Sequence, residues 1–182
     1  MNSTATLYET AHRPLIAVLD AVPAESWTQP SPCDGWSAGD VVRHLIETQR
    51  EFHTSHDIDL GETPDIDTDP AAAWRDHAKR IDETIGDDSL IATEYDGHFG
   101  PTTVGATFEQ FYIWDMLVHR WDIAWSVGAD AGLSDPELDR IESGADSFGD
   151  ALYMDGICRP GIDVSANTDR EARLLARLGR RA

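Results

Sequence analysis

Two short stretches place ionisable side chains on the apolar stripes of helices: His44 in DVVRHLIET, and Asp115 with His119 in FYIWDMLVHRWDIAW. Residues 41, 44, 45, 48 and 52 share one helical face, which reads Val41, His44, Leu45, Thr48, Phe52, so the imidazole points into a core. Residues 108, 111, 112, 115, 119 and 122 share another, which reads Phe108, Phe111, Tyr112, Asp115, His119, Asp122. An aspartate and a histidine four apart lie one turn above each other. Burying such groups is costly unless a partner or a metal satisfies them. Two imidazoles and one carboxylate converging between helices make a facial divalent-metal site, with positions left open for water or substrate. The competing reading is a core histidine beside an intrahelical ion pair, and the pattern alone leaves both standing.

The other candidates are read against that pair of helices. Asp122, one turn beyond His119, is placed to take the spare N–H of a ligating imidazole, or else is a carboxylate at the bundle rim. His12 on the first helix could face the pocket, and His98 could line its mouth. His53 and His56 are expected at a solvated end, and His77 at the surface. Cys33, in SPCDGW, has no histidine or cation beside it in sequence to lower its pKa and is expected to be a small packing residue. Trp114, Trp121 and Trp125 are offset from the polar stripe and read as core or interface. Arg43 and Arg120 adjoin two of the candidate ligands but point about 100° away from them. The glycines form neither a nucleotide-binding pattern nor a nucleophile elbow.

The elements that must position these residues are helices. Residues 4–21 read as a first helix containing Pro14, followed by the irregular loop PAESWTQPSPCDGWSAGD, anchored by Trp27 and Trp36. Ser37 and Asp40 form a capping box for a second helix reaching about residue 54. Asp69 and Pro70 open a third, closed by Gly86. Residues 89–104 read as the one candidate β element, with Asp96-Gly97 as a candidate turn, or equally as an ordered loop. A long aromatic helix follows over 105–127 and stops at Gly128. Ser134 with Glu137 caps a fifth helix over 135–152, and Thr168 with Glu171 caps the closing one. The expectation is an all-α four-helix bundle with short additional helices, one domain spanning 1–182.

Composition narrows the partners. Fourteen basic against 34 acidic residues give a formal charge of −20, which argues against nucleic acid. No apolar run is long enough to span a membrane, and the N-terminus does not read as a signal peptide. Two cysteines make no disulfide framework, so the cytoplasm is the expected compartment. A small-molecule substrate fits such a bundle, and its exposed aromatics allow a homodimer.

The blocks W-x2-PSPCDGWSAGDVVRHLIE (27–47), DMLVHRWDIAWSVG (115–128) and EARLLARLGR (171–180) together resemble the mycothiol-dependent maleylpyruvate isomerase metal-binding domain family, one of the DinB-like helical bundles. The resemblance covers nearly the whole chain in order and rough spacing. It implies a divalent metal, usually zinc with nickel as the other option, held by His44, Asp115 and His119. Asp115 stands where the isomerase has a glutamate. The full isomerase carries a further C-terminal domain for which this chain has little room, so the resemblance implies the metal-binding bundle rather than maleylpyruvate isomerisation. It further implies mycothiol, or a similar thiol, as co-substrate of a transferase or isomerase. Two alternatives stay open: a metal-dependent hydrolase or rearrangement enzyme with Asp122 or His12 as base, and a metal-binding bundle without chemistry.

Overall fold

The computed structural model describes residues 2–154, 156–165 and 167–181. Its contacts divide into two compact units, Met1–Ala131 and Gly132–Ala182. The first unit is built from α1 (Ser3–Ala21), α2 (Ala38–Ser55), α3 (Pro70–Ile85), the short α4 (Asp88–Ile91), strands β1 (Glu94–Gly97) and β2 (Gly100–Thr103), the short α5 (Val104–Thr107), a π turn (Phe108–Ile113) and α6 (Trp114–Ser126). α1 packs on α3 and α6, and α2 packs on the same two helices, which closes a four-helix arrangement. The chain is mostly helical, as expected for an all-α DinB-like bundle.

The helix starts follow side-chain chemistry. The Asn2 side chain accepts from Ala5 N–H, and α1 continues through Pro14. Ser37 and Asp40 cap α2 reciprocally, and Asp69 with Pro70 opens α3. The apolar periodicity then decides which faces are buried: Tyr8, Ala11, Leu15 and Leu19 from α1, Val41, Leu45 and Phe52 from α2, Trp74, Ala78, Ile81 and Ile85 from α3. α6 is buried nearly all round, including His119, Arg120 and Asp122. Among the described residues no helix is long and apolar enough to cross a membrane.

Four expectations are corrected. The β element is a hairpin whose turn is His98-Phe99, not Asp96-Gly97, because Gly97 pairs with Gly100 and Gly100 takes the left-handed φ of 108° that closes it. The long aromatic helix is interrupted at Phe108–Ile113 by a π turn, a feature common next to functional residues. In the second unit the fifth helix, α7, ends at Phe148, where Gly149 at φ 54° breaks it into a 3-10 turn (Gly149–Tyr153). The closing helix α8 (Arg170–Arg177) is capped by the Asp169 side chain, one residue later than Thr168. α7 keeps its predicted Ser134–Glu137 capping box, and Arg170 joins α8 to α7 through Asp139 and Glu142.

Candidate metal centre

The capping box at Ser37 fixes the phase of α2, and that phase turns His44 towards α6. Asp115 and His119 meet it from the first two turns of α6. Asp115 uses both oxygens: Oδ2 lies 3.0 Å from His44 Nε2 and Oδ1 lies 3.3 Å from His119 Nε2. The two imidazoles stand edge to face with ring centres 5.0 Å apart. Trp36, the residue before the α2 cap, lays its ring 4.9 Å from that of His44 and 6.3 Å from that of His119. His119 is buried, whereas His44 and Asp115 retain about a quarter of their side-chain surface, 26 % and 23 %, so the centre is open on their side.

The other nitrogen of His119 is also engaged. Nδ1 lies 2.8 Å from Oδ2 of Asp122, a carboxylate with no exposed surface. That contact makes Nδ1 a donor, so Nε2, which faces Asp115 and His44, is the nitrogen that would meet a metal once its own proton is displaced. Cys33 adds its thiol to the same oxygen at 3.5 Å.

Electrostatics in the protein without metal follow from the packing. Burial acts to depress the pKa of His119, but the Asp115 charge and the hydrogen bonds to Asp115 and Asp122 outweigh it and raise the pKa well above the ordinary value of 6.5. Burial likewise acts to raise Asp115, yet the His119 charge and the hydrogen bonds from His119 and His44 pull its carboxyl well below the usual range. Both shifts favour an imidazolium–carboxylate pair, whose proton a metal would displace.

The donor set fits a divalent metal. His44, Asp115 and His119 each offer one ligand atom, all within 4.8 Å of one another. Bonds of 2.0–2.2 Å in a tetrahedral arrangement put donors about 3.3–3.6 Å apart, and the His44 and His119 nitrogens lie 3.0 and 3.3 Å from the Asp115 oxygens they face. Cys33, His119 and Asp122 form a second such group. Its atoms are already joined by hydrogen bonds on the Nδ1 side of His119, away from the Asp115 face.

The remaining candidates are dispersed. His12 stacks on Tyr8, and its Nδ1 accepts the Trp74 indole N–H at 3.1 Å, so it sits with α1 and α3 rather than with the triad. His98 is exposed at the hairpin tip, edge-on to Phe99. His53 is buried, not solvated: its Nδ1 donates to the Gln49 carbonyl at 2.7 Å and its ring meets Phe108. His77, expected at the surface, is fully buried, with Nε2 3.0 Å from Gln49 Oε1. Both follow from helix phase, since positions 49, 53 and 77 belong to the inward faces of α2 and α3. Trp114 and Trp121 are buried and Trp125 is 44 % exposed. The residue that sequence reasoning missed is Cys33, whose partners are 86 and 89 residues away in the chain. The sequence around it carries no signal of that role, since both partners come from α6.

A family model for the mycothiol maleylpyruvate isomerase N-terminal domain matches residues 8–124, a span that contains Cys33, His44, Asp115, His119 and Asp122. The chain belongs to that family. The family is part of the DinB-like superfamily. No curated protein and no solved structure matches the chain.

Proposed function

We propose that this chain is a divalent-metal-dependent enzyme in which His44, Asp115 and His119 hold zinc, or nickel, and that it joins mycothiol or a similar small thiol to an electrophilic metabolite. The observation that carries the reading is the division of labour around His119: Asp122 takes its Nδ1–H, while Nε2 converges with His44 Nε2 on the two oxygens of Asp115. A purely structural ion pair needs no such convergence on a partly open face. When bound, the metal supplies Lewis acidity and lowers the pKa of a water or thiol that it holds.

The protein's own groups divide the remaining work. Asp115 supplies the negative charge that offsets two neutral imidazoles and the cation. Trp36 shields the imidazole edges from water on one side, and the exposed side of His44 and Asp115 leaves room for a small molecule. Addition of a thiol to an activated double bond gives transfer, and addition, rotation and elimination give cis–trans isomerisation. Asp122 acts through His119 rather than on substrate. His12 is an unsuitable base: because its Nδ1 accepts from Trp74, its neutral form carries the proton on Nε2. The proposed setting is cytoplasmic.

The test is a titration of the cobalt-loaded protein with mycothiol and with simpler thiols, followed by the visible absorption of the metal. A saturable spectral change at one thiol per site supports the reading. An unchanged spectrum, with esterase or amidase activity persisting in thiol-free buffer, replaces it with a hydrolase.

A further inference from the structure

We infer that Cys33 is a positioning residue for the metal centre: its thiol donates to the buried Asp122 carboxylate and so holds His119 in its metal-binding orientation. This rests on the metal reading above and extends it to a residue in the loop before α2.

Asp122 has no exposed surface, and an ionised carboxylate so placed is costly unless hydrogen-bond donors surround it. Its Oδ2 receives His119 Nδ1–H at 2.8 Å and Cys33 S–H at 3.5 Å. A thiol is a weak donor, but a charged acceptor strengthens the bond. Both donors converge on one oxygen, so a shift in either changes how the carboxylate meets the imidazole. The loop holds the thiol in place. Cys33 N–H donates to Ser31 Oγ at 3.2 Å, its carbonyl accepts from Trp36 N–H at 3.0 Å, and Ser31 N–H donates to the Trp36 carbonyl at 2.8 Å. Gly35 sits inside this turn at φ 76°, a conformation that suits glycine. The same turn carries the Trp36 ring that covers both imidazoles. The loop thus reaches the metal ligands twice, through a ring above them and a thiol behind them. His119 presents Nδ1 to Asp122 and Nε2 to Asp115, and the Cys33 thiol is engaged with Asp122 and His119, so its part is to orient a ligand and not to be one.

The experiment compares the full chain with Cys33→Ala, Cys33→Ser and Asp122→Asn by zinc competition against a chelator of known affinity. The cobalt spectrum and the water-exchange rate of the His119 Nδ1 proton in metal-free protein are the second and third readouts. Cys33→Ala should weaken zinc binding about tenfold, alter the cobalt bands and speed the proton exchange. Cys33→Ser, which restores a donor, should stay within about threefold of wild type with unaltered bands. Adding Cys33→Ala to Asp122→Asn should weaken binding little beyond Asp122→Asn alone, since the two act through one contact. Should the alanine variant fail to fold by circular dichroism, Cys33→Val, which keeps bulk without a donor, takes its place. Wild-type affinity and exchange in the alanine or valine variant would overturn the inference, as would a serine variant as impaired as alanine. If wild type takes up no metal, the metal reading fails, and the proton-exchange comparison still decides the role of Cys33.

Discussion

Replacing His77 by glutamine should weaken the bundle at neutral pH yet make it less sensitive to acid. His77 is fully buried between Trp74 and Gln49, with Nε2 3.0 Å from Gln49 Oε1. Burial, and then the positive charges of Arg50, His53 and Arg80, lowers its pKa from 6.5 to about 3. The folded protein therefore keeps His77 neutral, while the unfolded chain takes up a proton near pH 6.5. Stability from this residue is complete above pH 6.5 and is lost as pH falls towards 3. Over the whole interval the loss amounts to about 5 kcal/mol, or about 1.4 kcal/mol per pH unit between pH 6 and 4. That is as large as the entire stability of many domains. The glutamine variant gives up the ring packing and disturbs the Gln49 contact, at a cost of about 1–3 kcal/mol at pH 7. Urea unfolding followed by circular dichroism from pH 7 to pH 4.5, with a chelator present to remove metal linkage, reads both effects. The variant should start lower and fall less steeply, by about one proton's worth of slope, roughly 1.4 kcal/mol per pH unit. Parallel curves for the two proteins would refute the argument.

Metal affinity should rise with pH. The raised pKa of His119 means that metal competes with a bound proton beyond the ordinary imidazole range. Affinity should increase by up to about tenfold per pH unit between pH 6 and 8 when measured by chelator competition, and a flat profile would contradict the electrostatic account. Phe108→Ala should destabilise the first unit by about 3–5 kcal/mol in urea titrations, because the ring is buried among Tyr8, Phe52, His53 and Tyr112. A loss below about 1 kcal/mol would show that the site collapses around the cavity.

Much of the site was legible because its residues lie on strongly patterned helices. The phase of α2 follows from a capping box that can be read in the letters Ser37 and Asp40, and it delivers His44 inward. The four-residue spacing of Asp115 and His119 fixes their common face, and Asp122 follows one turn on. His77 lies in a polar stretch of sequence yet completes an inward face of α3 whose other members are apolar. His53, half a turn round α2 from His44, is buried with Gln49 and Phe52 because α2 packs on both α3 and α6. The hairpin turn was missed because both Gly97 and Gly100 carry turn chemistry, and only strand pairing decides between them. The π turn at Phe108–Ile113 has no local signature in the residues, which read as an ordinary amphipathic helix. Cys33 was illegible for a different reason. Its neighbours in sequence are prolines, an aspartate and a glycine, and the groups that give it a role arrive from α6 only after folding.

The central claim is that His44, Asp115 and His119 hold a metal. Elemental analysis of wild type, His44→Ala and His119→Ala after zinc loading and desalting tests it directly, with circular dichroism on the same samples. The account predicts about one zinc per wild-type chain and under about a tenth of that in either variant, with the helical signal retained. Undiminished zinc in both variants would contradict it.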